Sequence, residues 1–292
     1  MATTTVLEET PGLAPLYARA LLTAPGRRGD LTEHEVVREG ARINREQLTA
    51  YDDVCGFALR DELPATFLHV LVFPLQLTLM VDRSFPFALP GLVHVHNRIE
   101  QHRPVRADET LDLRATARDL RPHAKGAQVD LVGEARSGGE LVWEGRSTYL
   151  ARGTSAPGGD SPADDELAVE LPDGVAPQAI WRIGKDMGRR YASVSGDVNP
   201  MHLSRIAARA SGFPRILVHG MWTKARALAA LEPRLPEAYA VDVAFRRPLL
   251  LPSTVGFVAR PGAHDGEWDF AVRSRRGDRD HLVGTVAGEG HP

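Results

Sequence analysis

The chain has 292 residues, 43% hydrophobic and 25% charged, with a formal net charge of −3. That length and composition allow a sizeable globular core in one large domain or two medium ones. The near-neutral balance gives no global argument for binding nucleic acid or a membrane surface.

The N-terminal stretch MATTTVLEETPGLAP carries acidic residues where a secretory leader would be basic, and it lacks an apolar segment. With one cysteine, Cys55, no internal disulfide can form, so a reducing, cytoplasmic setting is expected. YDDVCGF at Tyr51 reads as a helical stretch closed by Gly56. The most apolar run, Leu63 to Val81, is interrupted by His69, Pro74 and Gln76. A buried helix over Leu68 to Val81 is therefore expected, not a membrane span. The Pro-rich DRSFPFALPG that follows could line a cavity or pack as an ordinary loop. LVHVHNRI, TLDLRATA, AQVDLVGEA and LVWEGRSTYL alternate with period two and read as strands. In the first of these, His94 and His96 would share a strand face. No third ligand stands nearby, so no metal site is expected.

Residues 151–171 are expected to form a linker, because Ala151 to Glu166 is rich in Gly, Pro, Ser and Asp without apolar periodicity. It divides the chain into residues 1–150 and 172–292. The two parts share a plan. Tyr51 with Gly56 is matched by Tyr191 with Gly196, an offset of 140 (51 to 191). HRPVRADETL at His102 is matched by RRPLLLPSTV at Arg246, an offset of 144 (102 to 246). Nearly equal offsets point to an internal duplication. In the second part a helix is expected over Gly220 to Leu231, with Met221, Trp222, Ala225, Leu228 and Ala229 on its buried face. Tyr239, Val241, Val243 and Phe245 alternate as a strand, as do Trp268, Phe270 and Val272. The fold class is α+β: antiparallel sheet in each half, packed on one apolar helix. Arg273, Arg275, Arg276 and Arg279 read as a solvated hairpin tip with Gly277-Asp278 in the turn. These arginines, or Arg246 and Arg247, could also meet an anionic carrier.

The chemically loaded stretch is SGDVNPMHLSRIAARASGFPRILVHGMW, Ser195 to Trp222. Gly196 and Asn199-Pro200 place Asp197 in a bend. Pro200 opens a helix expected over Met201 to Ser211, with Gly212 ending it. Asp197 and His202 can then face one side and activate a water between them. The plainer alternative is that Asp197 caps the helix and His202 is an ordinary surface group. Ser195 lies close by, but no strand-to-helix GxSxG elbow surrounds it, which disfavours a hydrolytic triad.

This stretch resembles the MaoC-like family, which includes the (R)-specific enoyl-thioester hydratases called hydratase 2. The matching residues are Tyr191, Ser195, Gly196, Asp197, Asn199, Pro200, His202, Ala208, Gly212, Phe213, His219 and Gly220. The family often has an acid two residues after the His, where this chain has Ser204.

The resemblance implies a hot-dog fold, a curled antiparallel sheet around one long helix. With the duplication, it implies a double hot dog, whose first half lacks the catalytic pair and binds the acyl chain. Phe57 and Glu62 stand at the offset-140 positions of Asp197 and His202. The implied reaction is reversible hydration of trans-2-enoyl thioesters, or dehydration of (3R)-hydroxyacyl thioesters, in fatty-acid metabolism. The substrate is carried on CoA or acyl carrier protein, and no metal or organic cofactor is required. Asp197 and His202 are the expected acid–base pair, Asn199 orients them or the water, and the Gly220 N–H polarises the carbonyl. Double hot dogs could further pair as a homodimer. A non-catalytic acyl-binding partner subunit and a hot-dog thioesterase are the alternatives.

Overall fold

The computed structural model describes residues 3–24, 27, 30–31, 33–156, 167, 169, 171 and 175–288. Along the chain come β1 (Thr3–Val6), α1 (Leu13–Thr23), β2 (His34–Arg42), α2 (Arg45–Cys55), α3 (Ala65–Val81), β3 (Leu92–Gln101), β4 (Thr110–His123), β5 (Gly126–Ser137) and β6 (Glu140–Arg152). The second half continues with β7 (Ala179–Ile183), α4 (Met187–Ser195), α5 (Pro200–Leu203), α6 (Arg205–Ala210), α7 (Gly220–Leu231), β8 (Tyr239–Phe245), β9 (Ser253–Pro261), β10 (Trp268–Ser274) and β11 (Asp280–Gly288).

The strands form one sheet of eleven, ordered β1-β2-β4-β5-β6-β3-β8-β11-β10-β9-β7. Read outward from its middle, each half repeats one order: β3-β6-β5-β4-β2 and β8-β11-β10-β9-β7. The duplication is therefore topological as well as local. The two halves are not separate sheets, as the sequence suggests. They join edge to edge through the antiparallel pair β3–β8, from His96↔Ala244 to Gln101↔Tyr239. This pairing consumes the free edge each half would otherwise expose. Among the described strands, only β1 runs parallel to its neighbour, β2.

The helix of the first half, α3, is apolar on every side and is buried nearly all round. It begins at Ala65, directly after Pro64 and earlier than Leu68, and its Ala65 carbonyl accepts from Trp143 Nε1 at 2.9 Å. Leu68, Leu75 and Leu77 are fully buried, each worth about 1.5–3 kcal/mol of transfer free energy. Among the described residues no helix is long and apolar enough to cross a membrane. The second helix, α7, spans Gly220–Leu231 as its pattern predicts. Trp222 Nε1 ties it to the Val54 carbonyl of the first half at 3.0 Å. The duplicated tyrosines, Tyr51 and Tyr191, meet with ring centroids 6.1 Å apart.

Several expectations are corrected. Ala151 and Arg152 belong to β6, so the linker starts later than residue 151, and residues 157–166 of it lie outside the described residues. The offset of 140 fails beyond Gly196. The chain runs from Cys55 to Ala65 between α2 and α3, but from Ser195 to Gly220 between α4 and α7. Glu62 makes an isolated bridge to Arg106, the place that Leu217 and Leu250 take in the second half. Glu62 is thus no counterpart of His202, which lies in an insertion peculiar to the second half. A bulge between His94 and His96 sets them opposite Tyr149 and Thr148, two consecutive residues, so they do not share a face. His94 stacks on Tyr149 at 4.6 Å, while His96 pairs with Asp242 at 2.5 Å. Finally, Arg273 is not at a solvated tip. It is buried, paired to Asp280 at 2.8 Å, and donates to the Leu171 carbonyl at 2.9 Å.

Candidate active site

Helix α4 ends where Gly196 turns left-handed, at φ 72°, and donates to the Ala192 carbonyl. A side chain there would be strained. The reversal throws Asp197 out of the helix. Its N–H then donates to Ser195 Oγ at 3.2 Å, and its Oδ1 accepts the Asn199 N–H at 3.2 Å. Asn199 caps α5, its Oδ1 accepting from Met201 N at 3.4 Å, with Pro200 at the first helical position. Asn199 thus meets the Asp197 carboxylate through its backbone N–H. Ser195 Oγ donates to the Tyr191 carbonyl at 2.8 Å and is buried. With both its donor and an acceptor site used, it is no nucleophile.

The helix expected over Met201–Ser211 is two short helices broken at Ser204. That residue ends α5 in an extended conformation and caps α6, its Oγ accepting from Ala207 N at 3.4 Å. Ser204 therefore has a local task of its own where relatives in the resemblance carry an acid.

His202 is buried, and its Nδ1 lies 2.9 Å from the Leu217 carbonyl. A carbonyl only accepts, so Nδ1 carries the proton and Nε2 keeps its lone pair. His219 stacks on His202, with centroids 3.8 Å apart and planes inclined by 29°. Its Nε2 donates to the Asp197 carbonyl at 2.9 Å, and its Nδ1 is buried without a partner among the described residues. One donor atom from each of Asp197, His202 and His219 lies within 4.8 Å of the others. Such a triad has metal-site composition. Stacked rings, however, direct their lone pairs side by side and not onto one point, and one nitrogen of each ring already holds a carbonyl. The donor set does not fit a metal.

Burial pushes the Asp197 carboxyl up. The His219 and His202 imidazoles, the Tyr17 hydroxyl and the Asn199 N–H outweigh it and hold the acid below its ordinary range. Burial drives His202 down, partly opposed by Asp197 and the Leu217 carbonyl, and it drives His219 down to about 3. Near neutral pH the site holds a carboxylate beside two uncharged imidazoles.

These groups line a cavity of about 970 Å³ that both halves build. Asp197, Asn199, His202 and Gly220 all border it, with Phe73, Leu89 and Tyr149 from the first half. Arg246 and Arg247 also line it. Gly220 opens α7, so its N–H has no intrahelical acceptor. A Cβ on Gly220 would come within 2.9 Å of the Phe245 ring, so this position is held open by close packing. In the sequence His219 stands only as part of the motif, with nothing beside it to mark a role, and the first half of the chain gives no sign of its own contribution to the acid. That contribution is Tyr17, whose hydroxyl donates to Asp197 Oδ1 at 2.5 Å across 180 residues of chain. Nothing in TPGLAPLYARALL marks a residue destined for a site so far away.

One sheet whose two halves repeat the same strand order, each with a long helix of its own, defines a double hot-dog fold. A sequence model described as the MaoC-like domain matches residues 163–266. The chain is 36% identical over 271 residues to 3-hydroxyacyl-thioester dehydratase X of Mycobacterium tuberculosis, covering 93% of this chain and 95% of that one. It is 28% identical over 152 residues to the peroxisomal enoyl-CoA hydratase 2 of Arabidopsis thaliana, 48% of each. The crystal structure of HtdX from Mycobacterium tuberculosis superposes with a TM-score of 0.76 at 34% identity, over 87% of this chain and 99% of that one. The chain belongs to the MaoC-like dehydratase family.

Proposed function

We propose that the protein is a hydro-lyase that interconverts trans-2-enoyl and (3R)-hydroxyacyl thioesters in fatty-acid metabolism, with Asp197 and His202 as its acid–base pair. The observation that carries this reading is the convergence of two free basic atoms on one cavity. His202 Nε2 has an available lone pair because Nδ1 is tied to Leu217 O. Tyr17 and Asn199 donate to Asp197 Oδ1, and among the described residues Oδ2 has no donor within hydrogen-bond reach. The family membership and the names of the relatives point to the same reaction.

A water held by these two atoms adds its oxygen to C3 of the enoyl group. Its departing proton passes to the pair, and negative charge moves to the thioester oxygen. That oxygen meets the unpaired N–H of Gly220 at the positive end of α7. The pair then delivers a proton to C2, so one water has been added across the double bond. Dehydration runs the same steps backwards. The first half contributes Phe73, Leu89 and Tyr149 to the cavity, and we assign it the acyl chain. Arg246 and Arg247 supply positive charge for a CoA or carrier-protein phosphate. The single, fully buried Cys55 fits a cytoplasmic protein.

The test is the rate of enoyl-thioester loss as a function of chain length, on CoA and again on acyl carrier protein. Loss without release of free thiol supports a hydratase. Release of thiol identifies a thioesterase, and binding without turnover identifies an acyl-binding partner.

Two further outcomes follow. Because Asp197 and His202 both sit below their ordinary values, kcat/KM should stay level from about pH 8 down to about pH 6.5 and fall only below that, as the pair takes up protons. An acid limb above the ordinary histidine range contradicts this. Gly220→Ala should lower kcat/KM by about 10- to 100-fold, because its Cβ displaces Phe245 or the helix start that holds the carbonyl. Phe245→Leu in the same chain should restore part of the loss.

A further inference from the structure

We propose that Tyr17 is a positioning residue for the reaction: from the first half of the chain, its hydroxyl occupies one oxygen of Asp197 and leaves the other to face the water and His202. This rests on Asp197 acting as a base in the function proposed above.

The carboxylate is held asymmetrically. Oδ1 accepts from the Tyr17 hydroxyl at 2.5 Å and from the Asn199 N–H at 3.2 Å. His219 Nε2 lies 3.7 Å from Oδ2, but that N–H is directed at the Asp197 carbonyl at 2.9 Å. A carboxylate with one oxygen fixed by two donors cannot rotate freely, so Oδ2 keeps its aim into the cavity.

Helix α1, which carries Tyr17, is seated on the catalytic turn. Leu13, Leu16 and Ala20 pack into one cluster with Phe73, Leu77 and Met80 of α3. The Leu13 side chain lies 3.1 Å from where a Gly196 Cβ would stand, so α1 touches the turn next to Asp197. Beyond the helix, the Arg27 guanidinium donates to the carbonyls of Met80, Val81, Phe85 and Phe87. That clamp fixes the end of α1 to the first half. Tyr17 also borders the cavity that Asp197 and His202 line.

The two imidazoles beside Asp197 cannot take over this donation. His202 and His219 are uncharged, with their N–H groups committed to the Leu217 and Asp197 carbonyls. Burial pushes His69 down to about 4 and pushes Tyr149 and Tyr191 up, so both tyrosines keep their protons, but the hydroxyl bonded to Asp197 is that of Tyr17. Tyr17 itself is pushed up by burial and by Asp197, so it remains a donor throughout the working range.

The experiment is Tyr17→Phe, which removes one oxygen and keeps the ring in α1. With crotonyl-CoA, kcat should fall about tenfold while KM changes less than about twofold. The acid limb of kcat/KM should move up by about half a pH unit or more. A carboxylate that loses a donor binds its proton more tightly and also stabilises a protonated His202. A smaller folded fraction would scale the whole profile without moving the limb, so the limb separates positioning from mere stability. Parent-like kcat with a parent-like limb overturns the proposal. So does any loss of rate with the limb unmoved, which would make Tyr17 only a piece of the wall. Asp197→Asn is assayed beside it. If that variant turns over at the parent's rate, the base assignment and this proposal fall together. If it is inactive while Tyr17→Phe behaves as the parent, only the role of Tyr17 falls.

Discussion

Asp197→Asn and His202→Gln should each lower turnover of crotonyl-CoA by about 10²–10⁴ while leaving the midpoint of thermal unfolding near that of the parent. The size follows from what is lost. Asn keeps the shape of Asp197 and can still accept at its oxygen from Tyr17 and Asn199, but it cannot take a proton. Gln fills much of the His202 site, and its amide nitrogen can still reach the Leu217 carbonyl, yet it has no basic atom facing the cavity. On the proposed mechanism the two groups share one water, so the double variant should be little worse than either single one. Additive losses would mean that the two residues act on different steps. A variant at the parent's rate removes that residue from the mechanism.

The second large effect concerns the seam between the halves. Lys224 of α7 is fully buried, and its Nζ donates to Asn97 Oδ1 at 2.6 Å, Asn97 O at 3.0 Å and Val241 O at 3.1 Å. Those acceptors sit on β3 and β8, the two strands through which the halves join. Burial holds Lys224 well below an ordinary lysine. Asn97 cannot turn its amide over to compensate, because its Nδ2 already donates to Ser147 Oγ at 3.1 Å and Arg146 O at 3.3 Å. Lys224→Met keeps the stem but leaves Asn97 Oδ1 buried without a donor. The expected loss is about 2–4 kcal/mol. It should be read as a lower urea midpoint at an unchanged slope. Asn97→Leu in the same chain should recover part of it, because the orphaned oxygen is then gone. Stability within about 0.5 kcal/mol of the parent would show that the lysine is not what ties the seam.

The sequence was most informative where the chain writes its instructions locally. Helix α7 starts at the glycine that follows His219 and ends at Leu231, because its apolar face repeats with helical period. The bend at Gly196 to Pro200 was legible because Gly, Asn and Pro each carry a defined backbone preference. Ser204 defeated the single-helix reading, since a serine can be helical or can cap, and here it caps α6. The edge-to-edge joint of β3 and β8 left no trace in either strand, because pairing partners far apart in sequence carry no shared local signal. The bulge at His94 was hidden for a similar reason: period-two alternation reports the face only while the register holds. Arg273 looked solvated among its neighbours, but its partners Asp280 and Leu171 are fixed by the hairpin and the chain before β7. Tyr17 is the extreme case, placed on Asp197 by the packing of α1 against α3 and by nothing in its own neighbourhood.

The most direct test of the account is the product formed when the purified chain is given crotonyl-CoA in water. The account predicts loss of the double bond, appearance of the 3-hydroxybutyryl thioester in the 3R configuration, and no free thiol. A 3S product, release of thiol, or an unchanged enoyl thioester would contradict it.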